Sequence, residues 1–114
     1  MAQQDKDPIG KRRRAKQARI AVALGQAGFA LPGTVLVRSY ACGKQNCRCH
    51  ADPPRLHGPY IQWTRKVDQK TVTRNLTEEQ WGRYRDWFDN AKRLRQLLSD
   101  LETISMEIFE QDAG

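Results

Sequence analysis

The sequence predicts an α+β fold: a β-hairpin extended to a small three-stranded antiparallel sheet, with a basic helix before it and a long helix after it. Three observations lead there. Two runs rich in β-branched and aromatic residues, "YIQWTRKV" and "KTVTRNL", are separated by only two residues. A Thr-Glu-Glu-Gln tetrapeptide then opens about thirty residues with helical hydrophobic spacing. Ahead of the hairpin, one short window holds all three cysteines and both histidines of the 114-residue chain.

The elements follow in order. Residues 1–31 read as a basic arm. Asp7 before Pro8 pairs an N-cap with a first-turn proline. Alanine, arginine and lysine favour helix to about Leu24, where Gly25 or Gly28 ends it. The run "KRRRAKQAR" contributes Lys11, Arg12, Arg13, Arg14, Lys16 and Arg19 and no acid. Leu31-Pro32-Gly33 forms a turn, and "TVLVRSY", residues 34–40, a short strand. "DPPRLHGP" is a loop stiffened by its prolines. In the hairpin, a two-residue loop at Asp68 and Gln69 pairs Val67 with Lys70, Arg65 with Val72, Trp63 with Arg74 and Ile61 with Leu76. One face then holds Ile61, Trp63, Val72 and Leu76, the core side, with Arg65 and Arg74 reaching to its rim. The other holds Gln62, Thr64, Lys66, Thr71, Thr73 and Asn75.

Thr77 and Gln80 form a capping box, and the helix runs on to about Phe109. Tyr84, Ala91, Leu98 and Ser105 recur every seventh residue, as do Trp87, Leu94, Leu101 and Ile108. Trp81, Phe88, Leu97 and Ile104 widen the stripe. Thirty helical residues span about 45 Å, more than so small a domain covers. Leu94, Leu98, Leu101 and Ile108 are therefore the expected contacts to a second copy or a larger protein partner. The expected organisation is a basic arm or helix over 1–31, a β domain over 32–77 and an amphipathic helix over 78–110.

The clustered window reads Cys42-x4-Cys47-x-Cys49-x7-His57. Three thiolates and one imidazole are the donor set of a structural zinc site. A chain this short buries little core and gains from such a staple. Cys47 and Cys49 alternate on a flat strand and cannot share an ion there, so the loop has to curl. Gly43 is expected to turn the backbone so that amides face a thiolate. Lys44 and Arg48 offset the net charge of the centre. His50 competes with His57 for the fourth position, but directly after Cys49 it has little reach.

From "LPGTVLVRSYACGKQNCRCH" through "LHGPYIQWTRKV" to "KTVTRNLT" the chain resembles a widespread family of small prokaryotic proteins of unassigned function. The shared pattern is a Leu-Pro-Gly turn, Cys-Gly-Lys-x-Asn-Cys-x-Cys, His-Gly-Pro-Tyr, an arginine-lysine strand, a Lys-Thr-Val return and a long charged helix. It covers about residues 31–104. The resemblance implies Cys42, Cys47, Cys49 and His57 as the defining set, no activity, and an association with mobile elements and recombination or defence loci. The chain departs at the hairpin turn, where Asp68-Gln69 replaces Asp-Gly; a type I′ turn costs more without glycine, which would allow a longer loop.

Charge bounds the function. The net charge is +7 and the pI about 9.7. Residues 1–77 carry +11 and residues 78–114 carry −4. Such a balance favours a polyanionic partner. The expected function is nucleic-acid binding, DNA before RNA, by a non-catalytic accessory protein. Its contacts would be Lys11, Arg12, Arg13, Arg14, Lys16, Arg19, Lys44, Arg48, Arg65, Lys66, Lys70 and Arg74. RNA binding would use Tyr60 or Trp63 for stacking. A protein-interaction subunit working through the long helix is the other reading. An enzyme is not expected: the basic part holds only Asp5, Asp7, Asp52 and Asp68, with no paired carboxylates. No run of about 18 apolar residues occurs, and the apolar stretch Ile20–Leu24 is too short for a signal peptide. Three clustered cysteines fit a reduced, cytoplasmic setting better than a disulfide.

Overall fold

The computed structural model describes residues 7–113, so the expectations for residues 1–6 lie outside the described residues. The elements are α1 (Lys11–Gly25), β1 (Thr34–Tyr40), a 3-10 turn (Arg48–His50), β2 (His57–Val67), β3 (Lys70–Leu76) and α2 (Glu78–Ala113). The sheet is antiparallel in the order β1-β2-β3. No described helix is long and apolar enough to cross a membrane. The chain divides into two compact units, Leu31–Phe88 and the residues on either side of it, so that α2 contributes to both.

Within Leu31–Phe88, the hairpin has the register the two-residue gap imposes: Ile61 opposite Leu76, Trp63 opposite Arg74, Arg65 opposite Val72 and Val67 opposite Lys70. The longer loop that the missing glycine allowed is not adopted. Asp68 (φ 48°) and Gln69 (φ 68°) both take the left-handed conformation of a type I′ turn. Aspartate tolerates that region; glutamine is strained in it.

The turn before β1 depends on Gly33. Its φ is 94°, and a Cβ there would run into the Thr64 carbonyl and the Trp63 indole. The indole N–H donates to the Pro32 carbonyl (2.8 Å), tying the turn to β2. Trp63 packs edge-on against Phe88, and Trp81 lies against the same ring. The capping box forms as expected: the Gln80 amide donates to Thr77 Oγ1 and the Thr77 amide to Gln80 Oε1, both 3.0 Å. In this unit only Cys49 and Phe88 are buried among the apolar side chains. A core that small cannot by itself offset the entropy of ordering the segment.

The β1–β2 register slips by one residue between Arg38, opposite Tyr60, and Tyr40, opposite His57. Gly58 and Pro59 together face Ser39, a β-bulge. Gly58 has φ 112°, and a Cβ there would meet the Arg38 carbonyl at 2.8 Å. Pro59 needs no ladder hydrogen bond at that position. Side chains alternate along a strand, so the extra residue moves His57 off the Trp63 face. It shares the opposite face with Arg38, Tyr40 and Tyr60, and the ring of Tyr40 lies 6.1 Å from His57 and 5.5 Å from Tyr60.

In the other unit, α1 runs antiparallel to the later part of α2. Arg13 reaches Glu107 (3.7 Å) and Gln111 (2.7 Å) at one end, and the Asn90 amide donates to the Phe29 carbonyl (2.8 Å) at the other. Ile20, Ala91 and Ile104 are buried. Two expectations change here. Helix α1 is capped at Gly10, not Asp7. The Asp7 carboxylate instead accepts from the Ile9 amide (3.2 Å) and pairs with Arg14, which holds its pKa below the ordinary value. The seven-residue stripe also does not stay on one buried face. Leu94, Leu101 and Ile108 are half-buried, whereas Leu98 and Ser105 are exposed and Ile104 is buried in their stead. A straight helix drifts about 20° per heptad, and α1 covers the Ile104 flank.

The strain at the hairpin turn yields a test. Gln69→Gly should stabilise the protein by about 1 kcal/mol by removing the left-handed penalty. A thermal melt that is unchanged or lower would contradict the type I′ assignment.

Candidate metal centre

The site is built by three local structures. Cys42 follows the end of β1. Cys47 and Cys49 sit at the start of and within the 3-10 turn, and His57 opens β2. The curl that the Cys47-x-Cys49 spacing required is made by main-chain bonds: Cys47 N–H to the Lys44 carbonyl (3.2 Å), His50 N–H to Cys47 (3.0 Å) and Arg55 N–H to Arg48 (3.1 Å). A turn replaces the strand alternation, so both sulfurs face the same point.

The donor atoms of Cys42, Cys47, Cys49 and His57 all lie within 4.8 Å of one another. The Cys42 and Cys49 sulfurs are 3.6 Å apart, and Cys47 Sγ is 3.2 Å from His57 Nε2. An ion with metal–sulfur bonds of about 2.3 Å in tetrahedral geometry sets its thiolates about 3.8 Å apart. A disulfide needs about 2.05 Å. The residues thus fit a four-coordinate metal ion, and all three cysteines are free.

His57, not His50, completes the cluster. His50 Nε2–H donates to the Cys42 carbonyl (2.7 Å), closing the loop from outside the donor set. Sequence reasoning treated His50 only as a rival ligand and missed this tie. The backbone bends at Gly43 without a left-handed φ, and the space beside it is open. The amides that face sulfur belong to the cysteines themselves. Cys42 N–H points at Cys49 Sγ (3.3 Å), and the Cys49 amide is the main cause holding the Cys47 thiol down to about 6. Burial pushes the Cys49 thiol up.

The candidate nucleic-acid contacts are dispersed. Lys11, Arg12, Arg14, Lys16 and Arg19 are exposed on α1, while Arg13 is half-buried against α2. Lys44 and Arg48 are exposed on the metal loop. Of the hairpin cations, only Lys66 shares the face with Gln62, Thr64, Thr73 and Asn75. Lys70 and Arg74 follow Trp63 to the other side, and Arg65 stacks on the Trp63 ring (4.1 Å) with a buried Nη1 that has no hydrogen-bond partner among the described residues. Arg38 and Tyr40, which sequence reasoning passed over, stand exposed on the Lys66 side. Alternation along "TVLVRSY" was the signal for them.

A family model described as Domain of unknown function (DUF6788) matches residues 7–82, taking in α1, the metal loop and the whole sheet. No curated protein and no solved structure matches the chain.

Two outcomes follow from this geometry. Purified protein should take up one zinc per chain, and Cys47→Ser should abolish uptake and lower the unfolding free energy by at least about 4 kcal/mol; an unchanged melting curve would exclude ligation. Zinc affinity should rise with pH, because each bound thiol must lose its proton. Below about pH 6 Cys47 also carries a proton, so log affinity should climb more steeply with pH there than above. Competition titrations from pH 5 to 8 with one unbroken slope would contradict that.

Proposed function

From the premise that the chain belongs to the DUF6788 family, we propose that it is a zinc-stapled nucleic-acid-binding protein. DNA is the preferred partner, and the role is that of a non-catalytic accessory in a mobile-element, recombination or defence complex. Zinc is the ion the donor set fits best, and four protein ligands leave no position open for a reacting water. The residues that hold it shape the loop and the start of β2.

The observation that carries the reading is the open face of the sheet. Arg38, Tyr40, Tyr60, Gln62, Thr64, Lys66, Thr71, Thr73 and Asn75 share it, and no carboxylate lies among them. The Thr64 and Thr73 hydroxyls bond across the strands (3.1 Å). A twisted antiparallel ribbon of this kind enters a major groove, where cations meet phosphates or guanine edges and amides or hydroxyls meet other base edges. Separately, Lys11, Arg12, Lys16 and Arg19 on α1 have no ion pair among the described residues. Stacking on Trp63 is disfavoured, since Phe88 and Arg65 already flank that ring. A second reading, docking of α2 to another copy or a larger protein, draws on the exposed Leu98, Met106 and Phe109.

Anisotropy with a labelled DNA duplex tests the proposal. Affinity should fall by roughly 100-fold or more between 50 and 200 mM salt, and Arg38→Ala with Lys66→Ala should weaken binding about 10-fold at the lower salt. Absence of duplex binding at 50 mM salt, together with concentration-dependent self-association, would favour the second reading instead.

A further inference from the structure

The opposite side of the same sheet holds a different kind of site. Between the Trp63 face and the first turns of α2 lies a cavity of about 370 Å³, within the size range of small-ligand pockets. Trp63, Tyr84, Trp87 and Leu76 form its walls, and each is only half-buried. The Trp63 indole N–H is spent on Pro32 and its ring is flanked by Arg65 and Phe88, so Trp63 is a fixed wall of the cavity and not a free stacking face. Tyr84 and Trp87 brace each other edge to face, 5.0 Å between centroids.

Two polar side chains join this lining. Arg74 is exposed and has no carboxylate partner among the described residues. Gln80 uses its Oε1 to cap α2, which leaves its amide N–H donors available. An aromatic box alone would suit a cation, but the Arg74 guanidinium repels one. A wholly apolar ligand would leave Arg74 and Gln80 without partners. A flat ring bearing an anion answers every group.

We infer that this cavity binds a nucleotide, its base held against the rings of Tyr84 and Trp87, its phosphate on Arg74, and an acceptor on the base edge facing Gln80. The inference rests on the nucleic-acid reading for one of its two sources, an unpaired base of a strand; the other is a free mononucleotide. Stacking on aromatic rings tolerates any base, so the site selects for an unpaired base and not for sequence.

Tryptophan emission of the full-length zinc-loaded protein, excited at 295 nm, tests it. Titration with dAMP and dTMP, and with a single-stranded oligonucleotide, should quench saturably. The corresponding nucleosides should bind at least 10-fold more weakly. Arg74→Gln should weaken quenching by at least 10-fold while Arg74→Lys restores most of it. Lys66→Ala should weaken blunt-duplex binding yet leave mononucleotide quenching unchanged, which separates this site from the open face. Tighter quenching by the oligonucleotide than by the mononucleotides identifies a strand as the source; the reverse order identifies the free nucleotide. Absence of saturable quenching by either, or quenching indifferent to Arg74→Gln in folded protein, overturns the inference.

Discussion

The convergence of three sulfurs and one imidazole is the constraint on which Leu31–Phe88 depends. That unit buries only Cys49 and Phe88 among its apolar side chains, and ordering nearly sixty residues costs far more than such burial returns. Apparent binding energies of about 10–16 kcal/mol are typical of structural zinc in small peptides, enough to change the balance. The residues around the donors reinforce it: Cys49 is buried, its amide faces Cys47, and His50 closes the loop on the Cys42 carbonyl.

The same constraint links the loop to the sheet. His57 is at once a candidate ligand and the first residue of β2, so an ion held by the cluster would clamp the strand at its entry. The bulge at Gly58 and Pro59 allows that clamp. Without the extra residue His57 would follow Trp63 to the helix side, away from the face it shares with Tyr40. The two sides of the sheet are thereby given different tasks. Trp63 and Phe88 hold one side to α2, while the other presents threonine, amide, tyrosine and cationic groups beside an exposed Leu36. Under the proposed function the second side receives the duplex; under the further inference the cavity on the first side receives a base.

Charge follows the same economy. Among the described residues, the acids of α2 meet α1 through Arg13 alone, leaving most cations of α1 directed at solvent. A cationic helix so lightly neutralised repels itself, and a polyanion would relieve that repulsion.

Much of this architecture was legible in the chain. The two-residue gap dictated the hairpin register because pairing is locked once the turn length is set. Thr77 and Gln80 announced the start of α2, since a capping box is a purely local arrangement. The ligand set followed from chemistry, three thiols and an imidazole in one short window. What tertiary structure alone decided was orientation. Nothing local reveals that a bulge turns His57 to the open face, that Asp7 pairs with Arg14 instead of capping α1, or that Ile104 and not Leu98 is covered. Each is settled by what packs against it, and a periodic pattern names the candidates for burial without naming the neighbour that buries them.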